Sequence, residues 1–142
     1  MNHDSYDDAY LRGILGETKK IAVLGASPNP ARPSNMILGY LLHHGYGAIP
    51  VNPGHAGGKI LGQAAYGHLA DLPEPADMID VFRRSEFLAG VVDEVLALDW
   101  KPKSIWIQLG LRDDAAAHRA EAAGIKVVQD RCIKIEHAGL MR

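Results

Sequence analysis

The sequence predicts an α/β fold, a doubly wound, mainly parallel sheet of about five strands with helices on both faces. Three observations lead there. Short β-branched apolar runs alternate with longer stretches of helical periodicity along almost the whole chain, as in consecutive βα units. The first apolar run stops at a glycine directly before a helix start, which is how a buried parallel strand hands over to its crossover helix. Finally, 142 residues at 47% hydrophobic and 23% charged suit a single globular domain with a sizeable core.

Each element has a local reason. Ile21-Ala22-Val23-Leu24 is the first strand, closed by Gly25. Pro33 suits the first position of the following helix, where its missing N–H costs nothing. Met36, Ile37, Tyr40 and Leu41 form that helix's apolar stripe, and Gly45 can end it in a left-handed conformation. Ala48-Ile49-Pro50-Val51 reads as the second strand, and Pro50 is expected at the strand's start or at a bulge. The segment 52–67, with Gly54, Gly57, Gly58 and Gly62, reads as a loop with room for one short element.

Met78-Ile79-Asp80-Val81-Phe82 is the third strand. Ser85 is the candidate cap of a helix whose buried stripe is Phe87, Val91, Val95 and Leu98. The fourth strand is Ser104-Ile105-Trp106-Ile107-Gln108, and Asp113 or Asp114 then caps an alanine-rich helix ending at Gly124. Lys126-Val127-Val128-Gln129 is the fifth strand. Right-handed crossovers turn this order into a Rossmann-like topology with its crevice at the carboxyl ends of the strands. Residues 1–19 read as an N-terminal extension with one helix, Tyr6 to Leu15, packed outside that core, and residues 20–142 as the domain itself.

Composition removes several function classes. A net charge of −2 gives no basic stripe for nucleic acid. The single cysteine, Cys132, excludes an intrachain disulfide and a cysteine-rich zinc site. Met1 to Asp8 is polar and acidic, unlike a signal peptide, and no apolar run approaches the roughly 18 residues of a membrane span. The expected compartment is the cytoplasm.

In such a fold the loops after strands one to four share one rim: 25–32, 52–54, 83–85 and 109–111. Gly25 lets backbone N–H groups approach a pyrophosphate, and the helix N-terminus behind it adds favourable partial charge. Arg32, Lys59, Arg83 and Arg84 are candidate counter-charges. Two features argue against NAD. The loop lacks the G-x-G-x-x-G spacing, having Ser27 and Pro30, and the second strand ends in Asn52 rather than Asp or Glu. A ribose bearing a 3′-phosphate is repelled by a carboxylate there and tolerated by an amide.

Catalytic constellations are scarce. None of the seven histidines falls at metal-ligand spacing with a second ligand, and His43 and His44 suit a helix end. Cys132 reads as a small buried hydrophobe, although its basic neighbours Arg131 and Lys134 leave thiol exchange with a thiol cofactor open. No Ser-His-Asp order or carboxylate pair is present, so no catalytic or metal residue is assigned.

Five blocks then carry a resemblance. Val23-Leu24-Gly25-Ala26-Ser27-Pro28-Asn29-Pro30, Pro50-Val51-Asn52-Pro53, Asp80-Val81-Phe82-Arg83-Arg84, Trp106-Ile107-Gln108-Leu109-Gly110 and Asp130-Arg131-Cys132-Ile133-Lys134-Ile135-Glu136 occur in register. Together they resemble the stand-alone CoA-binding domain proteins, similar to the N-terminal CoA-binding domain of the succinyl-CoA synthetase α subunit. The resemblance implies coenzyme A or an acyl-CoA as ligand. It sets Gly25, Ala26 and Ser27 against the phosphates, Val51, Asn52 and Pro53 beside the adenosine, and Phe82 and Arg83 closing the site. Lys59 corresponds poorly to a ligase phosphate-binding lysine. Gly54-His55-Ala56-Gly57 looks like the ligase phosphohistidine loop but follows the wrong strand, and the ligases' other domains have no counterpart here. The expectation is therefore a binding module without chemistry of its own, with a protein partner or homo-oligomer left open. The alternative is an NAD(P)-binding redox enzyme or regulator on the same fold.

Overall fold

The computed structural model describes residues 1–141. In chain order the helices are α1 (Asp8–Glu17), α2 (Pro33–His43), α3 (Leu88–Leu96), α4 (Asp114–Ala122) and α5 (Ile133–Leu140). The strands are β1 (Lys20–Leu24), β2 (Gly47–Val51), β3 (Lys59–Ile60), β4 (Gln63–Ala64), β5 (Met78–Val81), β6 (Ser104–Ile107) and β7 (Lys126–Val128). The main sheet is parallel throughout, in the order β2-β1-β5-β6-β7. It is the expected Rossmann-like α/β sheet, with the order reversing beside β1.

Side chains alternate between two cores because strand period is two. Ala22, Leu24, Ile79, Val81, Ile105, Ile107 and Val127 pack into one cluster with Val91, Val92 and Val95 of α3 and Ala116, Ala117 and Ala120 of α4. Ile21, Val23, Met78, Trp106 and Val128 face the other way, into a cluster with Leu11, Ile14 and Leu15 of α1, Ile37, Leu38 and Leu41 of α2, and Ile133 of α5. Parallel strands covered on both faces read as continuous apolar runs for this reason.

Several local expectations change. Pro50 sits inside β2, opposite Val23, with neither a strand start nor a bulge. β2 is an edge strand, and the Pro50 carbonyl, accepting from Tyr66 N–H at 3.1 Å, points away from β1. The absent proline N–H lies on that same side, so no ladder bond to β1 is lost. Ser85 does not cap a helix: it opens a short 3-10 turn, and its Oγ accepts from the Arg112 N–H at 3.0 Å. α3 starts three residues later, so its buried stripe is Leu88, Val91, Val92 and Val95 while Phe87 is exposed. Met36 also leaves its predicted stripe and is exposed. Asp113, not Asp114, is the α4 cap, accepting from Ala116 N–H at 3.0 Å.

The N-terminal helix belongs to the core rather than outside it, since Leu11, Ile14 and Leu15 are buried. Its flank also covers the open edge of β7. The Tyr10 hydroxyl donates to the Val127 carbonyl at 2.8 Å and accepts from Val127 N–H at 3.1 Å, and the Tyr6 hydroxyl accepts from Gln129 N–H at 2.8 Å. Unpaired edge groups are thereby satisfied by side chains instead of another strand. The glycine-rich segment holds more than one element: a 3-10 turn at Pro53–His55, then the β3–β4 hairpin. The unpredicted helix α5 follows β7 directly. No helix among the described residues is long and apolar enough to cross a membrane.

Candidate functional site

The carboxyl ends of the five parallel strands open onto a cavity of about 840 Å³. The chain reaches it in sheet order, from Asn52 after β2 and Gly25, Ser27 and Arg32 after β1 to Phe82, Arg83 and Arg84 after β5. Gln108, Leu109 and Leu111 follow after β6, then Cys132, Lys134 and Ile135 after β7. The first turn of α2 closes the floor with Pro33 and Ser34, and Met36 and Ile37 lie one turn further along.

The turn after β1 is held by amides. Gly25 adopts φ +91° and donates its N–H to the Val51 carbonyl at 2.9 Å. The Asn52 amide donates to the Ala26 carbonyl at 2.8 Å while its Oδ1 accepts from Gly54 N–H at 3.0 Å. Asn35, buried on α2, donates to the Ser27 carbonyl at 2.9 Å. With both carbonyls occupied from the side chains, none of these contacts uses the N–H of Ala26 or Ser27. Arg32 supplies no side-chain cap to α2. Pro33 has no N–H and the Asn35 and Met36 N–H groups donate to the Arg32 carbonyl, so among the described residues Ser34 N–H is the first-turn donor left open beside the cavity.

Asn52 therefore has a job that the ribose argument alone does not give it. A carboxylate at this position cannot donate to Ala26. Asn52→Asp is expected to cost about 1 to 2 kcal/mol by leaving that carbonyl unpaired. Thermal unfolding should fall by roughly 3–6 °C, and an unchanged midpoint would mean that the contact contributes nothing.

Electrostatics favour an anion. Arg84 pairs with Glu86 at 3.5 Å, whereas Arg32 and Arg83 form no ion pair among the described residues. Lys134 stands over the Tyr40 ring at 5.7 Å. The cavity wall thus carries uncompensated cations in a chain whose net charge is −2. Beneath the wall, Gln108 donates from Nε2 to Oδ1 of Asp80 at 2.5 Å. Asp80 is fully buried, and its Oδ2 has no hydrogen-bond partner among the described residues. Burial raises its carboxyl to about 7, and the Gln108 bond offsets only part of that.

Of the ten residues singled out from the sequence, Gly25, Ser27, Arg32, Asn52, Phe82 and Arg83 line the cavity. Ala26 and Val51 lie beneath it, fully buried, and Pro53 is exposed on the adjoining 3-10 turn. Lys59 is on the exposed hairpin strand β3, outside the lining. His55 is likewise exposed and away from it. Sequence reasoning did not single out Ser34, Gln108, Lys134 and Ile135, which also line the cavity. Lys134 and Ile135 had a usable signal: in a parallel sheet the segment after the fifth strand ends on the same rim as the other four. Arg131 turns the other way, over the Tyr6 ring at 5.0 Å, and its carbonyl accepts from Trp106 Nε1 at 3.0 Å.

The chain is similar to several known proteins. The family model of the CoA binding domain matches residues 19–138. The Bacillus subtilis protein YneT is 39% identical over 130 residues, covering 92% of this chain and 93% of its own length. A hypothetical protein from Pyrococcus horikoshii superposes with a TM-score of 0.90 at 33% identity, covering all of this chain and 97% of the other. The dinucleotide forming acetyl-coenzyme A synthetase 1 of Candidatus Korarchaeum cryptofilum shares the fold, with a TM-score of 0.70 at 23% identity over 84% of this chain and 28% of that one. Matched by the family model over residues 19–138, this chain belongs to the CoA binding domain family.

Proposed function

We propose that this protein is a binding module for coenzyme A, held across the strand-end cavity. The observation that carries the reading is one wall that joins the Gly25–Ser27 turn, the uncapped start of α2 and the unpaired guanidinium groups of Arg32 and Arg83. Phosphates are the ligand groups that use backbone donors, helix-end partial charge and guanidinium groups together. Gly25, Ala26 and Ser27 take the pyrophosphate, with Arg32 and Arg83 as counter-charges. Asn52 and Pro53 flank the adenosine, and Phe82 closes its inner side. Val51 acts through the Gly25 bond to its carbonyl rather than by touching ligand. Lys59 reaches only a phosphate that extends beyond the cavity mouth.

Titration calorimetry of the full chain with CoA and with NAD tests this. CoA is expected to bind at sub-millimolar concentration and NAD more weakly. Arg83→Ser should weaken CoA about tenfold, as expected for the loss of one charge-assisted hydrogen bond at a partly solvated site. No CoA binding in that range, or NAD binding equally well, would sink the reading.

A further inference from the structure

Three of the most exposed large apolar side chains stand on this one cavity wall: Leu109 and Ile135, each 63% exposed, and Met36 at 57%. Leu111 and Ile37 continue the patch inward. Open apolar side chains gathered on a concave wall mark a ligand or partner, unlike the same residues scattered singly.

Their placement selects the occupant. The lining joins Asn52, Ser27, Arg32 and Arg83 to an apolar group made of Met36 on α2, Ile135 on α5, which packs against α2, and Leu109 and Leu111 after β6. One cavity thus carries both cationic groups and an open apolar patch. A flat protein partner would meet the apolar side chains and leave Arg32 and Arg83 without anions. An elongated small molecule that carries both phosphates and a hydrocarbon satisfies both sets of groups at once.

We propose that the site takes a CoA thioester with a linear apolar acyl chain, the acyl group lying against Met36, Leu109 and Ile135. The inference rests on the CoA reading above. It extends that reading because free CoA ends in a thiol too small to cover the two side chains left most open. Lys134 precedes Ile135 at the start of α5 and keeps a cation beside the thioester end without burying charge in the apolar patch.

The experiment is calorimetry of the full chain with free CoA and with hexanoyl-CoA, for wild type and for the double variant Leu109→Ser/Ile135→Ser. Both positions are exposed, so the fold tolerates the change. Hexanoyl-CoA is expected to bind wild type at least about tenfold more tightly than CoA. In the double variant that ratio should drop to about two. Equal affinities in wild type, with CoA itself binding, would overturn the acyl assignment and leave the CoA reading intact. Failure of both ligands to bind overturns both readings. An unchanged ratio in the double variant would also overturn the assignment, since it removes these side chains from acyl contact. Sedimentation supplies the remaining outcome: a dimer abolished by the double variant, with no acyl preference, would assign the patch to a second copy of this chain.

Discussion

Gly25→Ala is expected to destabilise the protein by about 3 to 5 kcal/mol, lowering its thermal midpoint by roughly 10 °C or more. Two costs add. Gly25 adopts φ +91°, which an L side chain rarely takes. A Cβ there would also lie 2.4 Å from the Phe82 carbonyl oxygen, a backbone atom at the end of central strand β5 that cannot swing away. Gly45 separates the two contributions, because it has nearly the same φ, +88°, and nothing within 4 Å of a built Cβ. Gly45→Ala should therefore cost only about 1 to 2 kcal/mol. Equal losses in the two variants, measured by denaturant unfolding, would show that the approach to Phe82 is not a constraint. The comparison also bears on function: this glycine is required by the fold before any ligand arrives.

Asp80→Asn should change the pH dependence of stability more than any other single substitution. In the folded chain, burial holds the Asp80 carboxyl protonated up to about 7, against an ordinary value of 3.8. As pH rises above about 4 the unfolded chain releases this proton while the folded chain keeps it, so stability falls through that window. The fall continues to about pH 7, where the folded carboxyl also ionises, and totals about 4 kcal/mol. Asp77 and Asp114 act in the opposite sense. Against burial, which raises it, backbone donors from Lys20 and Lys19 and the Lys103 charge together hold the Asp77 carboxyl low, and the Arg112 guanidinium does the same for Asp114, so their contributions shrink on acidification. Subtracting the variant's profile from the wild-type profile cancels both. The asparagine keeps an oxygen for Gln108 and has no proton to lose between pH 4 and 7. Parallel profiles for the two proteins would refute the assignment of this slope to Asp80.

The fold was legible because its signals are local. Five apolar runs at strand length, glycine at the first strand end and an aspartate cap at α4 all depend on neighbours within a few residues. Errors arose where a long-range partner competes with the local signal. Ser85 has the composition of a helix cap, yet its hydroxyl is taken by the Arg112 backbone from the next βα loop. Pro50 looks misplaced in a strand until its carbonyl is seen to face Tyr66 instead of β1. α5 carries little sequence periodicity of its own and gains its place by burying Ile133 and His137 against the second core. Met36 belongs by spacing to a buried stripe, but α2 starts beside an open cavity and leaves it uncovered.

For the candidate site the division is similar. The sequence by itself determined that the loops ending the strands converge, and that the turn after β1 is a glycine turn followed by an arginine and a helix start. It also carried the ordered blocks of the CoA binding domain family. Only the tertiary structure decided which residues meet. It brought Lys134 and Ile135 onto the wall, left Lys59 on a hairpin outside the lining, and gave Asn52 the Ala26 carbonyl to hold. The physical reason is that chain direction and periodicity are written within a few residues. Which side chain closes a hydrogen bond or lines a cavity depends on atoms brought together from strands tens of residues apart.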